Sequence, residues 1–366
     1  MKLSRQTKRN LKSIKYFTIT TSIGAFFLAL IDHGLKPFAM LDDIIIGFLF
    51  GFIISSVDIY FFSKRFRRLS FTATLIIRTA FFTLVAAILI ILVGILNLGA
   101  RFGKQYYDVI RDNGGTMMDY IKSEEFSDII IYLILLSFII NFILQINKLL
   151  GQNVMLNYLR GKYQTPLEEE LIFMFLDLKS STTIAEKLGL VKNHEFLNDF
   201  FHDMTEPILE YKGNIYQYVG DEVVLTWKPQ EGIEYNNCIN CFFAIQNKIL
   251  LKKDYYLNNY GVYPEFKAGL HIGPVITGEM GEIKKDIVYH GDTINTAARI
   301  QAECNNFRKR VLISEDLNNE LDLKGYYSTE SMGNIILRGK EKELELISVE
   351  EIQPEMNNLV ASSQVS

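Results

Sequence analysis

The stretch LIFMFLDLKSST, residues 171–182, is where the fold of this 366-residue chain first becomes readable. Leu171–Leu178 is an apolar run of strand length interrupted only by Asp177, the pattern of a strand buried on both faces. Ser180, Ser181 and Thr182 follow as helix-cap candidates, and the amphipathic segment they open reaches about Leu209. Beyond it, Asn214–Val219 and Val223–Trp227 read as strands flanking Gly220-Asp221, a dipeptide that signals a tight hairpin. Residues 233–257 read as helix, 264–272 as strand and 292–305 as helix, with strands near 309–313, 333–338 and 344–350. Strand, helix, hairpin, helix, strand in this order predicts an α+β domain with a split ferredoxin-like βαββαβ core and additions.

Toward the N-terminus the composition changes. A mean hydropathy of +0.12 with 49% hydrophobic residues is high for a wholly soluble chain and points to a membrane part. Four apolar stretches, about 16–31, 43–62, 71–98 and 129–149, approach or exceed the roughly 20 residues needed to cross a hydrocarbon core of about 30 Å. Lys2, Arg5, Lys8, Arg9, Lys12 and Lys15 precede the first, and Lys64, Arg65, Arg67 and Arg68 separate the second from the third. The positive-inside rule puts both basic segments in the cytoplasm and the connections 32–42 and 99–128 outside. A cleaved signal peptide is the rival reading of the N-terminus, but three further spans follow and no small-residue cleavage site succeeds Leu30. The expected organisation is therefore a membrane domain over 1–148, a cytoplasmic linker or transducing helix over 149–166, a catalytic domain over 167–351 and a loose polar tail over 352–366. Asp58 and Arg78, near the inner ends of their spans, are expected to snorkel or pair with each other. Asn141 and Gln145 lie four apart on one helical face, placed to bond a neighbouring helix or a second copy.

Charge is distributed unevenly. Residues 1–150 hold 17 Lys and Arg against 10 Asp and Glu, and the remainder 21 against 32. An acidic second half without a basic stripe excludes nucleic acid as an expected partner, because phosphate-backbone binding needs clustered cations. Three cysteines exclude a disulfide scaffold. Cys238-x-x-Cys241 has metal-ligand spacing but no second pair, and its helix-like apolar setting reads as two small buried side chains. The Gly269–Gly273 pair lies in a strand context, so it is not a membrane dimer signal, and His271 and His290 receive no role.

The chemistry begins at Asp177, which ends one strand, and Asp221, which sits in the hairpin turn. If those strands are neighbours, the two carboxylates converge and offer hard oxygen ligands suited to Mg²⁺ or Mn²⁺, two ions per site. Lys179–Thr182 then leads into a helix N-terminus, where free N–H groups favour anions, so that metal carboxylates beside an anion cradle suggest a nucleoside triphosphate. On their own these features are equally those of solvated strand ends and simple capping.

The order of the remaining segments resembles that of class III adenylate and guanylate cyclases. FMFLDLKSST (173–182), YVGDEVVLTW (218–227), AGLHIGPVITGEMG (268–281), GDTINTAARIQA (291–302) and LRGKEKELELISV (337–349) carry the likeness. It implies a class III cyclase domain behind a four-helix membrane part, acting as a homodimer with each site built from both partners. It further implies Asp177 and Asp221 as metal ligands, and Leu178 with Ser180, Ser181 and Thr182 as the triphosphate site. Asn295 would orient the ribose, Arg299 would stabilise charge at the α-phosphate and Lys340 would bind the terminal phosphates. Gln217 and Val288 occupy the base-reading positions, where adenylate cyclases usually have Lys with Asp or Thr and guanylate cyclases have Glu at the first. Gln reads either purine and Val neither, so ATP leads on family frequency and GTP is the alternative. The segment after Asp177 lacks the Gly-Phe often present in the family. A silent nucleotide-binding sensor is disfavoured by the full set of transition-state groups. A diguanylate cyclase is disfavoured by the residues around Gly220-Asp221-Glu222, and a transporter by the lack of a repeat or broken helix.

Overall fold

The computed structural model describes residues 5–33, 37–62, 69–95, 121–122, 124–151, 154–339 and 342–352, and the chain divides into two units, Met1–Met155 and Leu156–Ser366. Lys340, residues 96–98 of the third predicted span and all of the predicted tail but Ile352 lie outside the described residues.

The first unit is helical: α1 (Arg5–His33), α2 (Pro37–Val57) continuing into a π-helical turn over Asp58–Phe62, α3 (Phe71–Ile95) and α4 (Glu124–Leu150). Among the described residues three helical segments are long and apolar enough to cross a membrane, Asp43–Phe62, Phe71–Leu92 and Phe126–Asn147. The first predicted stretch, 16–31, lies within α1, which begins earlier and takes in part of the basic segment ahead of it. Asp58 and Arg78 pair at 2.8 Å, and the guanidinium lies 5.4 Å from the centre of the Phe62 ring. Both charges thus have a partner within the unit, which lowers the cost of holding them in an apolar environment. Asn141 donates to the Ser137 carbonyl of its own helix at 2.8 Å. The Gln145 amide, in the orientation that satisfies both partners, meets the Phe71 carbonyl and Leu75 N–H of α3 at 3.2 and 3.1 Å.

The second unit opens with α5 (Val154–Leu159), which begins at the boundary between the units, and then β1 (Leu167–Leu178). Next come α6 (Ser181–Leu188), α7 (Leu190–Glu210), β2 (Asn214–Val219), β3 (Glu222–Trp227), α8 (Pro229–Ile233), α9 (Asn237–Leu251), α10 (Lys253–Tyr260) and β4 (Phe266–Met280). The remainder is β5 (Asp286–His290), α11 (Asp292–Phe307), β6 (Val311–Ser314), α12 (Glu315–Glu320), β7 (Tyr327–Ile336) and β8 (Glu343–Glu351). The sheet runs β2-β3-β1-β4-β6-β8-β7, with β5 paired to β4 outside this row. β1 lies antiparallel between β3 and β4, with helices joining β1 to β2 and β3 to β4. That is the split βαββαβ arrangement.

Both faces of β1 are covered, which is why its sequence does not alternate. Ile172, Met174, Leu176 and Leu178 join Val223, Leu225 and Trp227 of β3 and Ala268 and Leu270 of β4 beneath α7 and α9. On the other face Leu171, Phe173 and Phe175 meet Val224, Val275 and Ala297 of α11. α11 buries Thr293, Thr296, Ala297, Ile300, Gln301 and Cys304, a stripe at helical spacing that seats it across the sheet.

Several elements differ from the sequence reading. The segment 181–209 is two helices that meet at Gly189, and 233–257 is α9 and α10 preceded by a kink at Tyr235 and Asn236, both at positive φ. The strand expected over 264–272 continues to Met280 and carries β5, which the sequence reading did not anticipate. Gly273, Pro274 and Gly278 look like strand ends, yet the pairing of 273–277 with Leu167–Leu171 keeps β4 extended.

Candidate active site

Asp177 is the penultimate residue of β1, and its register places it opposite Glu222 of β3 on one side and Lys267 of β4 on the other. Asp221 occupies the β2–β3 turn made by Gly220 at φ 63°, a conformation that favours glycine. Three carboxylates and one ammonium therefore share one edge of the sheet. Asp177 Oδ2 accepts from Gln301 Nε2 at 3.0 Å and lies 3.4 Å from Lys267 Nζ. Burial pushes the Asp177 carboxyl up from its ordinary value, and the charge of Asp221 adds to this against the opposing pull of Lys267. Glu222 is pushed up to about 7 by burial and then by Asp177 and Asp221, again opposed by Lys267. The sequence reading did not single out Glu222; its place follows from register with Asp177, and adjacency to Asp221 was the only available signal.

Asp177 and Asp221 together form a locus of excess negative charge built from hard oxygen donors, which fits Mg²⁺ or Mn²⁺. Among the described residues no three His, Cys, Asp or Glu side chains converge as a metal cage. The donor set is thus of the kind Mg²⁺ accepts, one or two carboxylates with water and phosphate oxygens completing the shell.

Leu178 is buried at the end of β1. Ser180 precedes α6 in the left-handed region, φ 59°, and its side chain makes no capping bond, contrary to the capping role expected of it. Ser181 and Thr182 open α6, and Lys179 is held to Glu265 both by its N–H, 2.7 Å from the Glu265 carbonyl, and by its ammonium at 3.1 Å. On α11, Asn295 is exposed and donates to the Gly291 carbonyl at 3.4 Å, while Arg299 is half-buried. Gly339 lies against Arg299: a Cβ there would be 3.5 Å from the guanidinium, so the turn that precedes Lys340 lies beside that side chain. Gln217 is exposed on β2 after an irregularity in the pairing with β3, and Val288 is half-buried on β5 opposite Gly278.

The structure thus gathers Asp177 and Asp221 at one edge and sets Asn295 and Arg299 on α11. Among the described residues no hydrogen bond or ion pair joins the two groups directly, and Gln301 of α11 is what reaches Asp177. His271 bonds Ser314 through Nδ1 at 2.8 Å. Cys238 and Cys241 are fully buried, and burial pushes the Cys238 thiol up to about 12, the behaviour of core side chains.

Residues 164–349 match the adenylate and guanylate cyclase catalytic domain. This is half of the chain and most of its second unit, and the chain belongs to that family. Adenylate cyclase 2 of Rhizobium meliloti is 36% identical over 222 residues, which cover 61% of this chain and 61% of that relative. Adenylate cyclase 1 of the same organism is 27% identical over 152 residues, 40% of this chain and 22% of the relative. The chain thus spans about three-fifths or less of the length of these relatives. The structure of a bacterial light-regulated adenylyl cyclase shares the fold with a TM-score of 0.52 at 21% identity, over 64% of this chain and 68% of that one.

Proposed function

We propose that the protein is a membrane-anchored nucleotidyl cyclase that converts ATP to 3′,5′-cyclic AMP and pyrophosphate. The observation that carries the reading is the pairing of Asp177 with Asp221 at the sheet edge, each carboxylate beside the other's charge, in a chain of the cyclase family. Asp177 and Asp221 would hold Mg²⁺ or Mn²⁺, two per site, which when bound activates the ribose 3′-hydroxyl and neutralises phosphate charge. The backbone at Leu178 and the first turn of α6, with Ser180, Ser181 and Thr182, grips the triphosphate through N–H groups that lack intrahelical partners. Lys340 takes the terminal phosphates. Asn295 orients the ribose, and Arg299 neutralises charge that develops on the α-phosphate in the transition state. The 3′-oxygen forms a bond to the α-phosphorus, the bond to the bridging oxygen of the β-phosphate breaks, and pyrophosphate leaves. Most of the protein's work is positioning and charge neutralisation.

Asn295 and Arg299 would come from one subunit and the aspartates from the other, so a homodimer completes two sites. The membrane half would cross the bilayer four times, with the N-terminus and the catalytic domain in the cytoplasm. Base choice rests on Gln217 and Val288. The test is product analysis of the detergent-purified protein with ATP or GTP as sole nucleotide and Mg²⁺ or Mn²⁺ supplied. Cyclic AMP with pyrophosphate from ATP supports the reading, cyclic GMP from GTP alone makes it a guanylate cyclase, and nucleotide binding without either product makes it a silent sensor.

A further inference from the structure

Gln301 is 6% exposed and belongs to none of the roles above. A buried amide must be hydrogen-bonded, and its Nε2 donates to Asp177 Oδ2 at 3.0 Å. One turn further along α11, Asn305 Oδ1 accepts from Lys267 Nζ at 2.9 Å, and that ammonium lies 3.4 Å from the same Asp177 oxygen. Gly269 makes the approach possible, because a Cβ there would fall 2.1 Å from the Gln301 backbone nitrogen. Two donors anchored to one helix therefore act on a single carboxylate oxygen, which fixes the rotation of the Asp177 carboxyl group and the direction of Oδ1.

The geometry points to Gln301, backed by the Lys267–Asn305 pair, as the positioning residue for Asp177. α11 then carries Asn295 and Arg299 for one site of the dimer while its last two turns hold the metal aspartate of the other site. This rests on the shared-site reading above. One continuous helix would connect the two sites physically, so that a shift of α11 at one is felt by the carboxylate at the other.

The test uses full-length protein as co-expressed, doubly tagged heterodimers. One chain carries Asp177→Ala and its partner Arg299→Ala, which leaves one intact site made from the aspartates of the second chain and the Asn295 and Arg299 of the first. Gln301→Met keeps the volume and removes the donor, and it is placed in either chain. In the Arg299→Ala chain it should weaken Mn²⁺ about tenfold, the scale on which loss of an outer hydrogen bond to a metal ligand acts. The readouts are the metal dependence of turnover and, without nucleotide, Mn²⁺ binding by electron paramagnetic resonance. In the Asp177→Ala chain the same change should leave the Mn²⁺ dependence of the surviving site where it was. Equal weakening from both placements, or from neither, overturns the positioning role. Asn305→Ala, at an exposed position, releases Lys267 toward Asp177 and should weaken Mn²⁺ from the same chain only; it replaces Gln301→Met if thermal unfolding shows that variant misfolded. If the parent heterodimer is inactive, the shared-site reading fails. Mn²⁺ binding to wild-type and Gln301→Met homodimers then still decides whether Gln301 supports Asp177.

Discussion

A single hydrogen atom in place of a side chain at position 269 sets how closely α11 lies on β4. In Gly269→Ala the new Cβ meets the backbone of Gln301, which cannot rotate away, so α11 must lift. The expected cost is about 1–3 kcal/mol in denaturant unfolding, together with weakened Mn²⁺ binding. The cysteines carry a second prediction at this scale. All three are buried, and burial pushes Cys238 and Cys304 up to about 12 and Cys241 well above its ordinary value. Their thiols are therefore neutral and shielded at pH 8, and Ellman's reagent should find none in the native protein and all three after unfolding. Asp177 and Asp221 stood out in the sequence because a lone acid in an apolar strand and a Gly-Asp turn are local signals. Glu222, Lys267 and Gln301 did not, because what they do depends on strand register and on a helix residue 124 positions after Asp177.

Between elements, the polar contacts of α7 with the helices before β4 form a buried network. Asp203 accepts from Tyr256 at 2.8 Å and from Lys252 at 2.5 Å, and Asp199 accepts from Tyr255 and Tyr260, both at 2.6 Å. Burial raises the Tyr256 and Tyr260 hydroxyls above their ordinary values, and the carboxylates they serve add to the effect, so these tyrosines stay protonated donors at physiological pH. Tyr256→Phe leaves one oxygen of a buried carboxylate short of a donor. It should lower unfolding free energy by about 1–3 kcal/mol while Mn²⁺ affinity is unchanged, since none of these four bonds involves Asp177, Asp221 or Glu222. The core strands and the amphipathic helices were legible because an apolar run and a helical period are local signals. The extension of β4 to Met280 and the existence of β5 were not, because Gly273, Pro274 and Gly278 disfavour a strand until β1 pairs with the first part and β5 with the second.

For the whole molecule, the shared-site reading predicts that Arg299→Ala lowers turnover by about 10²–10³-fold and that Asp177→Ala abolishes it. Co-expressed at equal levels, the two variants pair at random. About half the dimers are then mixed, each with one intact site of two, so that about a quarter of wild-type turnover returns. Recovery of none would argue for sites contained in one chain. The two-part organisation was plain in the hydropathy pattern, and helix packing decides between the alternatives it left open: Asp58 pairs with Arg78, and Gln145 bonds α3. The buried thiols have a practical meaning at this scale. A chain without an accessible sulfhydryl is a blank background for site-directed chemistry, and any cysteine introduced on its surface becomes a unique address. Under the proposed orientation, a maleimide that cannot cross bilayers should mark Lys122→Cys from outside intact cells and spare Ser70→Cys, and the reverse pattern would overturn that orientation.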